Sequence, residues 1–264
     1  MTAPTAAQFD WNPTQYLKFG GERTRPALDL LARIDASAPR TVIDLGCGAG
    51  NISRILAARW PGAEIVGVDS SADMLAKARD RAPLKVRFER HDIAQWRPAS
   101  PPDVVYSNAA LHWLDDHGTL FPRLLAALAP GGTLAVQMPR NHRAPSHTCM
   151  VEAANAGDWR AALAPILRTD PVHEPEFYYD ALAPLAAAVD IWQTEYVHVL
   201  SGDDPVVEWT KGSALKPLLD AIDGRAREEF LAAYRARIAR AYPRRPDGTT
   251  LFPFRRLFVV ARRA

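Results

Sequence analysis

The sequence predicts an α/β fold, a doubly wound and mostly parallel sheet with helices on both faces. Short apolar runs alternate with helically spaced apolar residues from residue 41 to residue 138, a glycine-rich turn follows the first of these runs, and the rhythm changes after Met138. Strands that alternate with helices imply crossover connections between parallel neighbours. The chain of 264 residues is long enough for one large domain with its own core.

Each element follows from its local pattern. A first helix is predicted from about Arg23, with Pro26 in its first turn and with Leu28, Leu31 and Ile34 on one face. Strands are predicted at 41–45, 64–68, 84–88, 103–106 and 133–138, and helical spacing appears after Asn51, at 72–81 and at 120–128.

The second half of the chain predicts a cap on this sheet. Residues 140–188 and 204–241 are helical in pattern, whereas 190–200 and 256–261 have strand character. We expect a single domain over residues 1–264, with a helical cap above the carboxyl edge, where open α/β sheets bind ligands. The core is assigned to 22–139, 189–200 and 255–264, and the cap to 1–21, 140–188 and 201–254.

Composition and charge exclude several classes of protein. The net charge of +2, from 32 basic and 30 acidic side chains, lacks the concentrated basic face of a nucleic-acid-binding protein. No run approaches the roughly 20 apolar residues of a membrane span, and no secretory signal is visible. Cys47 and Cys149, the two cysteines, make neither a disulfide framework nor a zinc site. We expect a cytoplasmic protein without a bound metal.

The turn after the first strand carries the most information. Gly46-Cys47-Gly48-Ala49-Gly50 permits positive φ and lets a ligand approach the backbone. A dinucleotide fingerprint would place its third glycine at Asn51. Asp44, two residues before the turn, suits a cationic or ammonium-bearing ligand and disfavours a pyrophosphate. Asp69, at the end of the next strand, can bind a ribose diol, which both cofactor classes contain.

The segment from Asp44 to Gly50 closely resembles motif I of the class I S-adenosylmethionine methyltransferases. The resemblance implies a Rossmann-like sheet of seven strands with an antiparallel last strand, and S-adenosylmethionine as cofactor. It implies that Asp92 contacts the adenine amino group and that Arg23 holds the methionyl carboxylate. The cofactor-binding residues it implies are Tyr16, Arg23, Asp44, Gly46, Cys47, Gly48, Asn51, Asp69, Ser70, Met74, Asp92, Ile93 and Asn108.

More specific segments resemble the trans-aconitate methyltransferases. They include Trp11-Asn12-Pro13, Val136-Gln137-Met138-Pro139, Asp190-Ile191-Trp192 and the run from Arg256 to Arg263. The resemblance implies methyl transfer to a carboxylate of trans-aconitate, a small-molecule tricarboxylate. The sequence departs from the family at His112, where relatives can carry glutamine, and at Arg140, where they can carry aspartate. Cis-aconitate, citrate and isocitrate therefore stay open as acceptors.

The expected active site is sparse, because a carboxylate is ionised at pH 7 and needs no general base. Catalysis then depends on alignment and on exclusion of water. Tyr16, His112 and Trp113 are expected to position the reactants. The predicted substrate-binding residues are Trp11, His112, Trp113, Tyr179, Lys216 and Arg256; other basic candidates for the carboxylates are Arg23, Arg25, Arg140, Arg143, Lys211 and Arg255.

Three alternatives stay open. Another small-molecule methyltransferase, acting on a different acid, a phenol or an amine, would need a base for the last two acceptors, for which His112 is the candidate. A nicotinamide-dependent oxidoreductase conflicts with Asp44 and with the glycine spacing. A non-catalytic S-adenosylmethionine-binding protein is the third alternative, and the predicted cap disfavours it because a cap indicates a site for a second ligand. The sequence leaves monomer and homodimer equally open.

Overall fold

The computed structural model of the protein describes residues 20–80 and 85–264. The strands are β1 (Thr41–Leu45), β2 (Glu64–Asp69), β3 (Val86–Arg90), β4 (Val104–Asn108), β5 (Thr133–Pro139), β6 (Ala186–Leu200) and β7 (Thr250–Arg263). The helices are α1 (Gly20–Leu31), α2 (Asn51–Arg59), α3 (Ala72–Arg79), α4 (His117–Ala126), α5 (Pro145–Asn155), α6 (Arg160–Leu163), α7 (Pro175–Leu182), α8 (Pro205–Lys211), α9 (Lys216–Asp220) and α10 (Gly224–Ala241).

The seven strands form one sheet in the order β3-β2-β1-β4-β5-β7-β6. Strands β1 to β5 pair in parallel, and β7 runs antiparallel to both β5 and β6. The predicted fold class is confirmed. The order reverses between β1 and β4, so the crevice at their carboxyl ends is the place where such sheets bind ligands.

Both faces of the sheet are buried along the central strands, where successive side chains point to alternate faces. In β1, Val42 points to one face and Ile43 to the other, and both are buried. Helices α1, α2 and α3 cover the Val42 face, whereas α4 and α7 cover the Ile43 face. The two layers hold the carboxyl ends of β1 to β5 in fixed register.

A third apolar cluster lies in the cap. Strands β6 and β7 stay paired from Leu200↔Thr250 to Ala186↔Arg263, well beyond the last pair with β5 at Pro139↔Arg256. The protruding part of this ribbon packs with α5, α6, α8 and α10. One face of β7 therefore belongs to the cap cluster at Phe252 and Phe254, and to the sheet core at Phe258.

The structure corrects several predicted element positions. Helix α1 begins at Gly20, which places Pro26 in its interior, and Leu28 is 46% exposed because Ala27, Leu30 and Leu31 form the buried face. Helix α4 begins at His117 because Asp116 caps it, accepting a hydrogen bond from the Thr119 amide.

Strand bounds also differ from prediction. The third strand spans Val86–Arg90, where 84–88 was predicted and residue 84 lies outside the described residues, and the fourth spans Val104–Asn108 instead of 103–106. The last strand begins at Thr250, six residues before the predicted start at Arg256, because its first residues pair with β6.

Within the described parts of the chain, no helix is both long and apolar enough to cross a membrane. Nor do residues 20–80 and 85–264 gather three or more His, Cys, Asp or Glu side chains in a group that could hold a metal ion.

Candidate active site

The glycine turn between β1 and α2 is held in a backbone conformation that favours glycine. Gly46, Gly48 and Gly50 have φ values of 77°, 52° and 71°. The Gly46 amide donates to the Val68 carbonyl (2.8 Å), which ties the turn to the end of β2. A Cβ at Gly46 would overlap the Cβ of Ala110, whereas a Cβ at Gly48 would meet no described atom within 4 Å. The turn thus leaves the backbone open to a ligand at Gly48.

Asp44 lies behind this turn and is almost completely buried. Its Oδ2 accepts a hydrogen bond of 2.6 Å from the Ser53 hydroxyl in the first turn of α2. Burial, and secondarily repulsion from Asp69, raise the pKa of Asp44 to about 7, although the Ser53 hydrogen bond opposes the shift. A cation bound nearby would favour the ionised form of this carboxyl group.

The carboxylate of Asp69, at the end of β2, is fixed by two backbone amides. Gly48 donates to its Oδ2 and Ser71 to its Oδ1, both at 2.9 Å. A carboxylate can accept about four hydrogen bonds, so this geometry leaves room for a diol. Ser70 is exposed, while Met74 is buried in α3.

The segment after β3 holds the two residues predicted at the adenine. Asp92 is exposed, and its Oδ1 accepts a hydrogen bond from the Ala94 amide (2.9 Å). The Ile93 side chain lies beside Gly46, 3.4 Å from the position that a Cβ there would occupy. From α4, the Arg123 guanidinium donates to the carbonyls of Ile93, Ala94 and Trp96 at 3.3, 3.0 and 2.6 Å. Arg123 thereby fastens this segment against the glycine turn.

The chain turns sharply at the end of β4. Ala109 has a φ of 54°, in the left-handed region, and its amide donates to the Gln137 carbonyl (2.9 Å). The turn leads into a short 3₁₀ helix, Leu111–Trp113. Just before it, Asn108 Oδ1 is buried without a hydrogen-bond partner among the described residues. Such an atom calls for a donor from a ligand or a water.

A cavity of about 80 Å³ opens between this 3₁₀ helix and the cap. The described residues that line it are His112, Trp113, Pro139, His142, His147, Met150, Val151, Ile166, Leu167, Arg168, Pro171, Thr210, Ser213, Ala214, Pro217, Leu218 and Phe254. None of these lining residues is a carboxylate. The apolar walls and the basic side chains suit an anion with an apolar body.

The histidines of the cavity are neutral. Burial lowers the pKa of His112 well below its usual value, and the charges of Arg168 and Arg256 lower it further. Burial likewise lowers the pKa of His142 to about 4 and that of His147 to about 3. None of the three is a strong base at pH 7.

Arg256 and Arg23, both predicted site residues, are buried near the cap. Arg256 Nη1 donates to Gln137 Oε1 (3.3 Å), and its guanidinium lies over the Phe254 ring. Arg23 Nη2 donates to the Trp209 carbonyl (3.1 Å) and also lies over the indole ring. Arg23 thus connects α1 to the cap.

Most other predicted basic candidates pair with acidic groups. Arg140 pairs with Glu174, and Lys216 pairs with Asp220 at 2.6 Å. Arg143 contacts Asp170 and Glu174, Lys211 contacts Glu208, and Arg255 contacts Glu195. These partners account for the charges and argue against a role for Arg140 or Arg143 in holding an acid.

Some predicted residues lie elsewhere. Tyr179 is 54% exposed and outside the cavity, because α7 buries Tyr178 and Leu182 on its inner face. Cys47 is buried in the glycine turn and burial raises the pKa of its thiol, which agrees with packing. Asn51 begins α2 and accepts from Arg54. Trp11 and Tyr16 lie outside the described residues.

The sequence did not predict three polar residues of this region: Gln137, which accepts a hydrogen bond from Arg256, and His142 and Arg168, which line the cavity. They come from β5, from the segment after it and from the cap loop. In the sequence, Gln137 stands out only as part of Val136-Gln137-Met138-Pro139, a segment that resembles the family. No local pattern distinguishes Arg168 from the other arginines of the chain.

The described residues fit a nucleoside cofactor that carries a positive charge. The open backbone at Gly48 and the carboxylates of Asp44 and Asp69 meet at one crevice, and Asn108 Oδ1 lacks a described donor. Acidic groups at this position oppose the pyrophosphate of a dinucleotide.

The chain is similar to known methyltransferases. The family described as "Methyltransferase domain" matches residues 42–132. A trans-aconitate 2-methyltransferase from Methylobacterium radiotolerans is 50% identical over 258 residues, covering 97% of this chain and 99% of the relative. One from Methylobacterium nodulans is 51% identical over 255 residues, covering 96% and 98%.

Solved structures agree on the fold. An S-adenosylmethionine-dependent methyltransferase from Mesorhizobium loti has a TM-score of 0.52 at 23% identity, over 92% of this chain and 99% of that chain. Phosphoethanolamine N-methyltransferase 2 from Haemonchus contortus, in complex with S-adenosyl-L-methionine, has a TM-score of 0.58 at 16% identity, over 95% of this chain and 56% of that chain. Since half of the residues are shared with the two Methylobacterium proteins along nearly the whole length, the chain belongs to the trans-aconitate 2-methyltransferase family of S-adenosylmethionine-dependent methyltransferases.

Proposed function

We propose that this enzyme transfers a methyl group from S-adenosylmethionine to a carboxylate of trans-aconitate, giving the monomethyl ester and S-adenosylhomocysteine. The observation that carries the proposal is the composition of the cavity between the 3₁₀ helix Leu111–Trp113 and the cap. Its described lining contains Arg168 and three histidines with lowered pKa values, and no carboxylate. This lining favours an acceptor that is an anion and needs no base. Relatives at about 50% identity that carry the name of this activity support the same acceptor.

We assign the cofactor to the crevice at the carboxyl ends of β1 to β4. Gly48 would leave the backbone open to it, Gly46 and Asn51 would bound the turn on either side, Asp69 would hold the ribose diol, and Asp92 with Ile93 would lie at the adenine. When bound, S-adenosylmethionine supplies a methyl group on a positively charged sulfur. The methyl group would pass to a carboxylate oxygen of the acceptor, with the electron pair of the broken C–S bond left on sulfur.

The enzyme's own residues would position the reactants and exclude water. His112 and Trp113 lie on the 3₁₀ helix between the crevice and the cavity, which is where an acceptor must face the cofactor. His112 is buried and neutral, so it can orient an acceptor through a hydrogen bond without removing a proton. Trp11 stays proposed as a substrate-binding residue, Tyr16 as a residue that binds the cofactor and positions the reactants, and Lys216 and Arg256 as residues that hold the acid.

The division into core and cap is also a proposal. Its support is that the cluster of Phe252 and Phe254 lies in the cap, whereas Phe258, four residues later, packs in the sheet core. This change falls at the proposed boundary between residues 254 and 255.

We further propose that the enzyme acts in the cytoplasm on a freely diffusing acid, without a nucleic-acid or membrane partner. Cys47 and Cys149 are buried free thiols, as expected in a reducing compartment, and the net charge is only +2. Size-exclusion chromatography with light scattering distinguishes a monomer from a homodimer.

A methyl-transfer assay tests the acceptor. Labelled S-adenosylmethionine is incubated with trans-aconitate, cis-aconitate, citrate or isocitrate, and S-adenosylhomocysteine is measured. We expect the largest kcat/KM with trans-aconitate. Cofactor binding without methylation of any of these acids would overturn the acceptor and leave the cofactor assignment intact.

The pH dependence of the rate with saturating substrates tests the absence of a base. A carboxylate acceptor stays ionised, so the rate should be constant from about pH 6 upward. A break near neutral pH in kcat would instead indicate an essential base, and with it a phenol or amine acceptor.

A further inference from the structure

Gln137 presents an unused hydrogen-bond donor at the carboxyl end of β5. Its side chain is completely buried, and its Oε1 accepts from Arg256 Nη1 at 3.3 Å. Because the guanidinium can only donate, this contact fixes which end of the amide faces Arg256. The other end, Nε2, has no hydrogen-bond partner among the described residues.

A second unused donor comes from the cap. Arg168 Nη1 donates to the Trp113 carbonyl (3.3 Å) and Nη2 to the Leu114 carbonyl (3.4 Å), so the guanidinium lies directly behind the 3₁₀ helix. Asp115 balances part of its charge from a side chain that is 89% exposed. Arg168 Nε is buried, and nothing in the described part of the chain accepts from it.

Two imidazoles complete the group. The Nδ1 atoms of His112 and His142 are both buried and without partners within residues 20–80 and 85–264. Both rings are neutral, since burial lowers both pKa values, so each ring carries one N–H. His112, His142 and Arg168 all line the same cavity, and Arg256 lies over its Phe254 wall.

These polar groups indicate the chemistry of a ligand that would bind among them. The amide nitrogen and the guanidinium are donors only, and each neutral imidazole can contribute one more N–H. Buried donors without acceptors are costly. A ligand rich in acceptor oxygens and negatively charged would satisfy them together, and a carboxylate also matches the planar guanidinium.

We propose that Gln137 and Arg168, with His142, form a subsite for the carboxylates of the acceptor that are not methylated. The inference rests on the proposed function and goes beyond it, because it names the residues that make the enzyme select polycarboxylates. The subsite lies where β5, the 3₁₀ helix and the cap loop meet. Selection therefore depends on the contact between cap and sheet.

Two substitutions test the subsite. Gln137→Glu keeps an oxygen for Arg256 and replaces the free donor by a second carboxylate oxygen. Arg168→Gln removes the guanidinium. Each variant is assayed with trans-aconitate, with mesaconate, which keeps the carboxylate on the central carbon but has one carboxylate fewer, and with methacrylate, which has only the central carboxylate. Arg143→Gln is the matched control, since Arg143 is a cap arginine whose charge is met on the surface by Asp170 and Glu174.

We expect each variant to lose about 30-fold in kcat/KM for trans-aconitate, mainly through KM, from the loss of a charge-assisted hydrogen bond. The loss should be smaller for mesaconate and smallest for methacrylate, so that the preference for trans-aconitate over methacrylate falls. The Kd of S-adenosylhomocysteine should change less than about twofold, and Arg143→Gln should match the unmodified enzyme.

The outcomes separate the two proposals. If the unmodified enzyme does not methylate trans-aconitate, the proposed function fails. If it does, but both variants lose activity equally with all three acceptors or lose none, the subsite is overturned. S-adenosylhomocysteine binding reports whether each variant is folded, and His142→Phe replaces a variant that fails this check.

Discussion

Ser53 and Asp44 join the first turn of α2 to the end of β1 through a hydrogen bond of 2.6 Å. The bond lies directly under the glycine turn, and the carboxyl group has a pKa of about 7. Near neutral pH, therefore, this carboxyl group at the base of the proposed cofactor crevice is partly protonated in the unliganded protein. The charge state of this group links cofactor affinity to pH.

We predict that S-adenosylmethionine binds more tightly as the pH rises from 6 to 8. A bound cation favours ionised Asp44, so binding releases the proton that the free enzyme holds below its pKa of about 7. The gain is at most tenfold per pH unit below that pKa and ends above it. Calorimetry in buffers of different ionisation enthalpy measures the released proton.

Two variants check this assignment. Asp44→Asn should remove the pH dependence. Ser53→Ala should move the rise in affinity to higher pH, because the Ser53 hydrogen bond lowers the pKa of Asp44. An unmodified enzyme whose affinity is flat over this range contradicts the prediction.

We predict that Gly46→Ala loses cofactor binding by about tenfold or more and destabilises the fold more than Gly131→Ala does. The two glycines have φ values of 77° and 75°, so the backbone cost of a side chain is the same, about 1–2 kcal/mol. A Cβ at Gly46 would also overlap Ala110, whereas one at Gly131 meets no described atom within 4 Å. Thermal unfolding and cofactor titration separate the two effects; equal losses in both variants would refute the packing argument.

We predict that Arg123→Met weakens S-adenosylhomocysteine binding about tenfold, since it releases the segment that carries Asp92 and Ile93. Arg123 donates to three carbonyls of that segment. Arg97→Met is the control: this exposed arginine bonds to the Gln95 and Trp96 carbonyls of the same segment. Fluorescence titration measures both Kd values, and an unchanged Kd in Arg123→Met would contradict the prediction.

We predict that the fold loses stability as the pH falls below 6.5, partly through His147. Burial holds the folded-state pKa of His147 at about 3, below its unfolded value of 6.5. The unfolded chain therefore binds the proton first, and stability is lost as the pH falls from 6.5 toward 3. At pH 5 this one group costs about 2 kcal/mol.

Urea unfolding at pH 7 and pH 5 measures the effect. His147→Gln should reduce the difference between the two free energies of unfolding, whereas His91→Gln, at an exposed site, should leave it unchanged. A difference that His147→Gln does not reduce would exclude His147 as its source.

The central sheet could be predicted because its information is local. Val42 and Ile43, like Val104 and Val105, are apolar on both faces and sit between turn residues, which predicts buried parallel strands. Leu28 shows the limit: its spacing placed it on the buried face, but the packing of α1 decides which of several apolar residues turns inward, and Leu28 is exposed.

The glycine turn and the carboxylates at the strand ends were predictable for the same reason. Arg140 was not, because its partner Glu174 lies 34 residues away and is brought to it by the cap. Gln137 and Arg168 likewise acquire meaning only from contacts across the sheet and across the cap. A polar residue whose role depends on distant neighbours has no local signature.

The paired strands β6 and β7 constrain how this family can diversify. A single-residue insertion within β7 before Phe254 would reverse the face of every later side chain of that strand and turn Phe254 and Arg256 away from their present neighbours. Insertions in the connections at 201–204 and 243–249 leave that alternation intact. Lengthening or reshaping the cap helices can therefore change acceptor preference. The paired strands β6 and β7 meanwhile keep the distance between the cap and the cofactor crevice constant.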